Sequence, residues 1–472
     1  MATDTSNCSN NKSSMAILIH EQQTKISGQE ILDRSYVYLI GAIAALGGLL
    51  FGFDLVIISG AVPFFAKHFQ LNALETGWAV GCINLGCAAG ALLAGRLSDT
   101  VGRKKVLLLC ALMFALTGFG TGWASSFPMF IIFRMLSGLA VGTAALVCPM
   151  YIAEISPASL RGRMVTFYQL AITLGILLAY FSNYFLLNVG LNNWRWMFTS
   201  QAAPALLFFL GLLFVAESPR WLVGKGKLAN AEKILQRIGG MSYAITERKA
   251  IEQSFSGESD EKFTDLFRKE YRHILFIGIL IAIFSQAGGQ NSLFSYAPDI
   301  FKQAGMTDDS SFLQSVILGL INFIFTFIAI GTVDKLGRKR LLMLGSALLT
   351  LDALALATAF YLHLQGLWVL IFVLGFIAIY SASLGPVTWV ALSEIFPNRI
   401  RANAMAFATL SLWIANFFTT ASFPLMKVHF GLPATFTIHA FVCGLYFFFV
   451  RSKVPETKGK SLEEIEQALN PR

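Results

Sequence analysis

Charged residues are scarce in this sequence. Asp, Glu, Lys and Arg make up only 13% of its 472 residues, whereas hydrophobic residues make up 55% and Phe alone occurs 42 times. Water-soluble proteins carry roughly 25% charged residues. The chain therefore has more apolar surface than a water-soluble core could bury, which excludes an ordinary soluble protein and indicates that lipid solvates much of it.

Sequence motifs of disulfide-rich, metal-binding, ATP-binding and hydrolytic proteins are also missing. The six cysteines form no CxxC pair, and all but Cys8 lie in apolar runs, which predicts small core residues rather than a disulfide frame or a metal site. No Walker motif is present, which excludes an obvious ATP-driven pump. The six histidines are scattered and no Ser-His-Asp arrangement is found. We therefore expect no enzyme activity, no cofactor and no metal.

Twelve apolar runs are long enough to cross a bilayer, which requires about 20 mostly apolar residues each. They predict an all-α membrane protein with twelve transmembrane helices in two halves. The runs cover roughly 37–62, 76–96, 105–124, 128–150, 165–187, 195–215, 273–300, 312–333, 341–362, 367–391, 404–426 and 432–450. We expect a disordered leader (1–35), a six-helix bundle (36–216), a polar linker with short helices (217–272), a second bundle (273–451) and a tail (452–472).

The basic residues predict the orientation. With both termini in the cytoplasm, 31 of the 36 Lys and Arg residues fall on the cytoplasmic side, as the positive-inside rule requires. The net charge of +9 is thus a topology signal, and a nucleic-acid partner is not expected. The leader lacks the apolar core of a signal peptide. The short external loops lack an N-x-S/T sequon, which favours the cytoplasmic membrane of a bacterium.

Two loop motifs recur at equivalent positions in the two halves. Asp99 to Lys105 follows the second run, and the similar segment Asp334 to Arg340 follows the eighth. A Glu-Ile-x-Pro segment begins at Glu154 after the fourth run and at Glu394 after the tenth. The offsets are 235 and 240 residues, so the chain is a duplicated six-helix unit. Parallel halves of this kind place a substrate site at their interface near mid-membrane.

These motifs carry a resemblance to a known family. Gly95-Arg-Leu-Ser-Asp99 with Gly102-Arg103-Lys104 resembles the loop signature of the major facilitator superfamily. Four further segments are similar to marks of its sugar porter branch: Phe51-Gly-Phe-Asp54, Glu217-Ser-Pro-Arg-Trp221, Gly385-Pro-Val-Thr-Trp389 and Pro455-Glu-Thr-Lys-Gly459. The resemblance spans about residues 37–466 and implies a monosaccharide carrier, either a proton symporter or a facilitative uniporter.

One acid and one base inside the predicted helices indicate a coupling site. Asp54 lies about 12 Å and Arg134 about 9 Å from the outer ends of their helices, so the two side chains can meet. Arg stays charged, so Asp54 is the group that can take a proton. Ionisable residues in the membrane are costly and usually functional. The family resemblance implies proton coupling at Asp54. The alternative is a fixed salt bridge.

Amides and an indole predict a sugar site, because amides both donate and accept hydrogen bonds and an indole covers an apolar ring face. The resemblance implies sugar contacts by residues of both halves, mostly the second. The predicted substrate-binding residues are Gln169, Gln286, Gln290, Asn291, Asn322, Trp389 and Asn416. The alternative is that these amides only join helices.

Some positions depart from the family pattern. Ser285 and Ser295 stand where a second Gln and a second Tyr are usual, and Ile176 and Leu412 stand at positions that are often polar. We expect these changes to remove polar contacts and widen the cavity, so the sequence does not identify the sugar. Asp352, near the middle of the ninth run, has no predicted role.

Charged residues in the cytoplasmic loops predict a gate. The resemblance implies that they join the halves when the carrier opens outward, whereas the alternative assigns them to topology alone. The predicted gate residues are Arg96, Arg103, Glu154, Arg161, Glu217, Arg220, Arg338, Glu394, Arg399 and Arg401.

The sequence thus favours secondary active transport of a monosaccharide with a proton as co-substrate, by a protein that is functional as a monomer in the lipid bilayer. A uniporter is the main alternative. A nutrient sensor built on an inactive carrier is a minor one, because long cytoplasmic tails are missing.

Overall fold

The structure, a computed structural model, describes residues 32–256, 266–397 and 400–458. Within these ranges the regular secondary structure is helical, without strands. The five cysteines in the described ranges are all buried and unpaired, as predicted for core residues. The predicted all-α membrane fold is confirmed.

The described residues contain eleven apolar helical segments, and the last of them comprises two spans, which gives six spans in each half. The spans of the first half are Arg34–His68, Ala73–Val101, Arg103–Gly122, Phe127–Ile155, Ala158–Leu186 and Asn193–Phe214. Those of the second half begin with Tyr271–Gln303, Asp308–Leu336, Arg338–Tyr361 and Leu367–Ile395. The last two spans share the 53-residue segment Arg401–Lys453, which is interrupted at Gly431 with φ of 76°.

Two spans that the sequence predicts as continuous are broken. The tenth consists of Leu367–Ala382 and Leu384–Ile395, and Ser383 between them has a non-helical backbone. The seventh consists of Lys269–Ala287 and Gln290–Gln303, and Gly289, one of the two glycines between them, has φ of 96°. Breaks in membrane helices leave backbone groups that other groups must satisfy, and they commonly occur beside substrate sites.

The repeated loop motif depends on glycine. Gly102 and Gly337 have φ values of 106° and 87°, which other residues rarely adopt. Each glycine joins two antiparallel spans. The arginine that follows it directly, Arg103 or Arg338, begins the next helix. We call the membrane face that carries residues 99–105 and 334–340 the basic face. The other is called the opposite face.

The second and fourth spans cross at four glycines. Gly86 and Gly90 on one helix, and Gly138 and Gly142 on the other, are each four residues apart and lie against the backbone of the partner helix. A Cβ atom added to Gly138 or Gly142 would overlap the carbonyl oxygen of Ile83 or Cys87. Small residues at this spacing let membrane helices approach closely and gain packing energy.

The variant Gly142→Val should therefore destabilise the first half. Its branched side chain has no space at the crossing, so the helices must separate, at a cost of about 1–3 kcal/mol or more. We expect a lower melting temperature in detergent than for the parent. Gly331→Ala is the control, since nothing lies within 4 Å of the added atom. Equal melting of Gly142→Val and the parent would contradict the packing argument.

The two halves contact each other between the middle of the membrane and the opposite face. Gly77 and Gly81 of the second span pack against Ala421 of the eleventh. Gly319 of the eighth span packs against Leu177 and Tyr180 of the fifth. These contacts lie in the part of the spans that runs toward the opposite face, so the halves meet closely on that side.

Within the described residues, the region after the sixth span and the start of the first span, residues 32–39 and 218–256, form a compact unit. Ser218 caps the helix Pro219–Gly224 by accepting the N–H of Trp221. The helix Leu228–Ser256 follows and is kinked at Gly239–Gly240, and the Arg237 guanidinium lies 4.0 Å from the Tyr36 ring centroid. This helix lies in the linker for which the sequence predicts short helices. Leader residues 1–31 lie outside the described ranges, whereas Arg34 and Ser35 are already helical.

Candidate functional site

The predicted contact between Asp54 and Arg134 is present. Arg134 Nη1 lies 2.6 Å from Asp54 Oδ1, and the two residues are 1% and 0% exposed. Ser137 Oγ donates to Asp54 Oδ2, and Gln201 Nε2 lies 3.4 Å from the same oxygen. Each of these three groups can donate a hydrogen bond to the carboxylate. Two Arg134 donors, Nε and Nη2, have no partner in the described structure.

Ser137 and Gln201 are parts of this cluster that sequence reasoning missed. Ser137 lies three residues after Arg134 and so on the same helix face, a signal that was available. Gln201 lies in the sixth span, and its position beside Asp54 depends on packing between helices that are distant in the sequence.

Aromatic rings separate the ion pair from the opposite face. The Arg134 guanidinium lies 5.6 Å from the Phe198 ring centroid, and Phe198 contacts Phe130 at 5.6 Å. Phe130 in turn contacts Phe65 at 4.8 Å and Trp194 at 6.3 Å. Phe65 and Phe130 are nearer the opposite face than Asp54 and Arg134 in their own helices. The rings therefore exclude water from that side of the ion pair.

A cavity lies between the two halves. Residues of both halves line it, among them Phe51 and Ile172 of the first and Tyr380 and Pro386 of the second. Six of the seven predicted substrate residues line it: Gln169, Gln286, Asn291, Asn322, Trp389 and Asn416. The seventh, Gln290, is not among the lining residues, and its Nε2 donates instead to the Ser285 carbonyl at the break of the seventh span.

Several polar atoms around the cavity have no partner in the described structure. They are Asn322 Nδ2, Asn416 Oδ1 and Trp413 Nε1, two donors and one acceptor. Leaving such groups buried and unpaired costs about 1–3 kcal/mol each, which a ligand bearing hydroxyls can recover. Trp413 was missed because an indole in an apolar run gives no sequence signal of its own.

Gln286 and Asn291 belong to one hydrogen-bonded pair at the break of the seventh span. Asn291 Nδ2 donates to Gln286 Oε1 at 2.5 Å, and Gln286 Nε2 donates to Ser285 Oγ at 3.3 Å. The break brings both amides to the cavity wall, although they are five residues apart. A change to either amide therefore disturbs the other.

The positions that depart from the family pattern divide into two groups. Ile176 and Leu412 line the cavity and make part of its wall apolar. Ser285 and Ser295 are buried but are not lining residues. Asp352 is not near this cavity. Its Oδ1 lies against Gly375 of the tenth span, and its Oδ2 has no partner in the described structure.

Predicted gate residues of the first half form a cluster on the basic face. Arg103 Nε and Nη2 each donate to Glu154 at 2.9 Å, and Nη1 donates to Asp99 at 2.9 Å. The Glu217 carboxylate accepts the backbone N–H groups of Arg103 and Lys104 at 3.0 and 3.1 Å. It thereby satisfies two otherwise unpaired groups at a helix N-terminus, where the dipole favours negative charge.

The second half repeats this arrangement. Arg338 Nη2 donates to Glu394 at 2.8 Å, and the Glu456 carboxylate accepts the Arg338 backbone N–H at 3.0 Å. Thr457 Oγ1 also donates to Glu394 at 2.6 Å. Glu456 is a member of this cluster that sequence reasoning missed, although its offset of 239 residues from Glu217 matches the other repeats.

Other contacts are recorded for several of the remaining predicted gate residues. Arg161 donates to the Ala153 carbonyl and Arg401 to the Phe396 carbonyl, at 3.0 and 3.2 Å. Arg96 is exposed at the end of the second span. Arg220, in the smaller unit, lies 5.7 Å from the Phe255 ring centroid. Arg399 lies outside the described residues.

Two six-helix halves, a cavity between them and a buried ion pair define a membrane carrier of the major facilitator type. The profile of the family described as "Sugar (and other) transporter" matches residues 40–469. The chain belongs to this family.

Curated relatives agree in length with this chain. It is 40% identical to the arabinose-proton symporter of Bacillus subtilis (strain 168), covering 92% of this chain and 95% of the relative. It is 38% identical to the D-xylose-proton symporter of Escherichia coli (strain K12), covering 93% and 97%.

Solved structures of the E. coli xylose transporter XylE have the same fold. An inward-open structure matches with a TM-score of 0.83 at 36% identity, covering 92% of this chain and 100% of that one. The structure of XylE, described as a proton:xylose symporter, with 6-bromo-6-deoxy-D-glucose matches with a TM-score of 0.76 at 38% identity, covering 92% and 99%. The backbone is thus more similar to the inward-open structure.

Proposed function

We propose that this chain imports a monosaccharide by proton symport through alternating access. The observation that carries the proposal is the cavity between the halves, with unpaired donors and an acceptor in its wall and Trp389 beside them. A sugar offers hydroxyls to the polar atoms and an apolar ring face to the indole. The arabinose and xylose symporters among the relatives support pentoses as the first substrates to test.

Proton coupling is assigned to Asp54. An ionised Asp54 is held by Arg134, Ser137 and Gln201, whereas a protonated one no longer attracts the guanidinium. Because the carboxylate is buried on the first span and Arg134 on the fourth, protonation changes the force between two helices of the same half. This link between charge and helix packing is what a symporter requires.

The basic face is proposed to be cytoplasmic, with both termini on that side of the cytoplasmic membrane. The distribution of Lys and Arg supports this orientation. Contacts between the halves toward the opposite face and the similarity to inward-open XylE support an inward-open state. We further propose that the lipid-embedded monomer is the functional unit and that transport is its sole activity.

Uptake by reconstituted vesicles tests this function. Purified protein in liposomes should concentrate arabinose, xylose or another monosaccharide when the outside is made acidic, and an uncoupler should abolish the accumulation. A protein that equilibrates a sugar but never concentrates it is a uniporter. One that neither binds nor moves any pentose, hexose or polyol contradicts the proposal.

Substitution of the seventh-span amides should weaken sugar binding. Gln286→Ala or Asn291→Ala removes one member of the pair at the cavity wall, and each lost hydrogen bond should cost about 1–2 kcal/mol, or roughly 5- to 30-fold in affinity. Binding to purified protein measures the effect. Gln314→Ala, a partly buried amide in the eighth span that does not line the cavity, is the control. Parent-like affinity in both folded variants would remove these residues from the site.

A further inference from the structure

Asn84 of the second span is a buried amide that neither lines the cavity nor takes part in the ion pair. It is 2% exposed. Its Nδ2 donates to the Gly81 carbonyl at 3.1 Å and to Thr420 Oγ1 at 3.3 Å. Its Oδ1 accepts a hydrogen bond from Asn416 Nδ2 at 2.8 Å. Asn84 therefore joins the first half to a residue of the cavity wall that belongs to the second half.

This network determines the orientation of both amides. The Gly81 carbonyl can only accept, so it must face the Asn84 amino group. The Asn84 oxygen then faces Asn416, which must present its own amino group. The opposite orientation would place two amino groups, or two oxygens, against each other. Asn416 Oδ1 is consequently left without a partner, on a residue that lines the cavity.

We infer that Asn84 is a positioning residue for substrate binding: it holds the Asn416 amide so that Oδ1 accepts a hydrogen bond from a substrate hydroxyl. The inference rests on the proposed function, because it assumes that the cavity binds a sugar. It assigns one substrate contact to a residue of the first half that does not itself touch the substrate.

The same contact depends on closure of the opposite face. One turn and two turns before Asn84, Gly81 and Gly77 pack against Ala421 of the eleventh span, and Gly81 also approaches Phe417. Separation of the halves at the opposite face would pull Asn84 away from Asn416. The Asn416 amide is then free to rotate. Asn84 therefore holds Asn416 Oδ1 in position for the substrate only while that face is closed.

Asn84→Leu tests the inference, since leucine has a similar volume but cannot bond to Asn416. In sugar-exchange assays with liposomes, we expect KM to rise roughly 3- to 10-fold while kcat stays near that of the parent. In a double-mutant cycle with Asn416→Leu, the double variant should be no worse than Asn416→Leu alone, because Asn84 acts through Asn416. Asn183→Leu is the matched control, since Asn183 is a buried amide of the first half outside the cavity.

A structural role alone would lower the melting temperature and the amount of active protein without changing KM. Unchanged KM in folded Asn84→Leu, or effects that simply multiply in the double variant, would overturn the inference. An equal rise of KM in Asn183→Leu would do the same.

A second measurement does not require transport. Spin labels on Leu74→Cys and Val428→Cys, exposed positions at the opposite face in different halves, report the distance between the halves. Asn84→Leu should increase the population with long distances, and an unchanged distribution would overturn the closure argument. If the parent binds no monosaccharide, the proposed function fails, and these distances alone decide whether Asn84 holds the halves together.

Discussion

Replacing Asp54 with Asn should abolish the accumulation of sugar against a gradient while sugar-for-sugar exchange continues. Asparagine resembles the protonated carboxyl in size and is uncharged, so it cannot bind and release a proton during the cycle. Arg134 remains charged, and its Nε and Nη2 already have no partner in the described structure. In Asp54→Asn, Arg134 is therefore permanently released from residue 54. Sugar binding can persist in this state, but the proton gradient cannot drive accumulation.

The experiment compares accumulation driven by an imposed pH gradient with exchange in the same vesicles. Asp299→Asn is the control, because Asp299 forms an ion pair with Lys427 at 2.6 Å but lies outside the cavity and the Asp54 cluster. It should accumulate sugar like the parent. Accumulation by Asp54→Asn would show that Asp54 is not the coupling residue. Loss of exchange together with accumulation would assign it a role in folding or binding.

The contact between Asp54 and Arg134 could be predicted because it depends on the depth of each residue in the membrane. Each residue lies a countable number of residues from the end of a straight apolar helix, and the rise per residue converts that count into depth. The donors that complete the cluster depend on helix rotation and crossing, which depth does not determine. Gln201 approaches Asp54 from the sixth span, 147 residues further along the chain.

The cavity residues were predicted as a group through family resemblance, but their pairing was not. Gln290 satisfies a backbone carbonyl left by the helix break, which the apolar pattern of the seventh span does not reveal. The link from Asn84 to Asn416 joins residues 332 positions apart in different halves. No local pattern encodes such a contact, because it exists only when two separately folded bundles come together.

The charged clusters of the basic face could be predicted in part. Their repeated offsets were visible in the sequence, and the structure places Arg103 with Glu154 and Arg338 with Glu394, each pair within one half. The proposal that such residues join the halves in another state concerns contacts that this state does not display. It therefore requires a measurement on both states.

Arg103→Ala should strongly reduce transport while leaving sugar binding within a few-fold of the parent. The Arg103 side chain joins the start of the third span to the ends of the second and fourth by its bonds to Asp99 and Glu154. Removing one partner of a mostly buried ion pair is costly, so we expect a loss of roughly tenfold or more in transport rate. Arg103→Lys keeps the charge but not the bidentate contact with Glu154, so its transport rate should be intermediate between those of Arg103→Ala and the parent.

Spin labels on Thr100→Cys and Ser393→Cys, exposed on the basic face in different halves, can separate gating from stability. If Arg103 helps to close this face in the outward-open state, its loss should shift the distance distribution toward the open form. Glu394→Ala should shift it in the same direction, since Glu394 holds the equivalent position in the second half. Lys105→Ala, an exposed neighbour of the cluster, should change neither transport nor distances. A fall in transport with unchanged distances would mean that the cluster stabilises one half without controlling the gate. Parent-like transport and distances in Arg103→Ala and Glu394→Ala would mean that these charges serve only to set the topology.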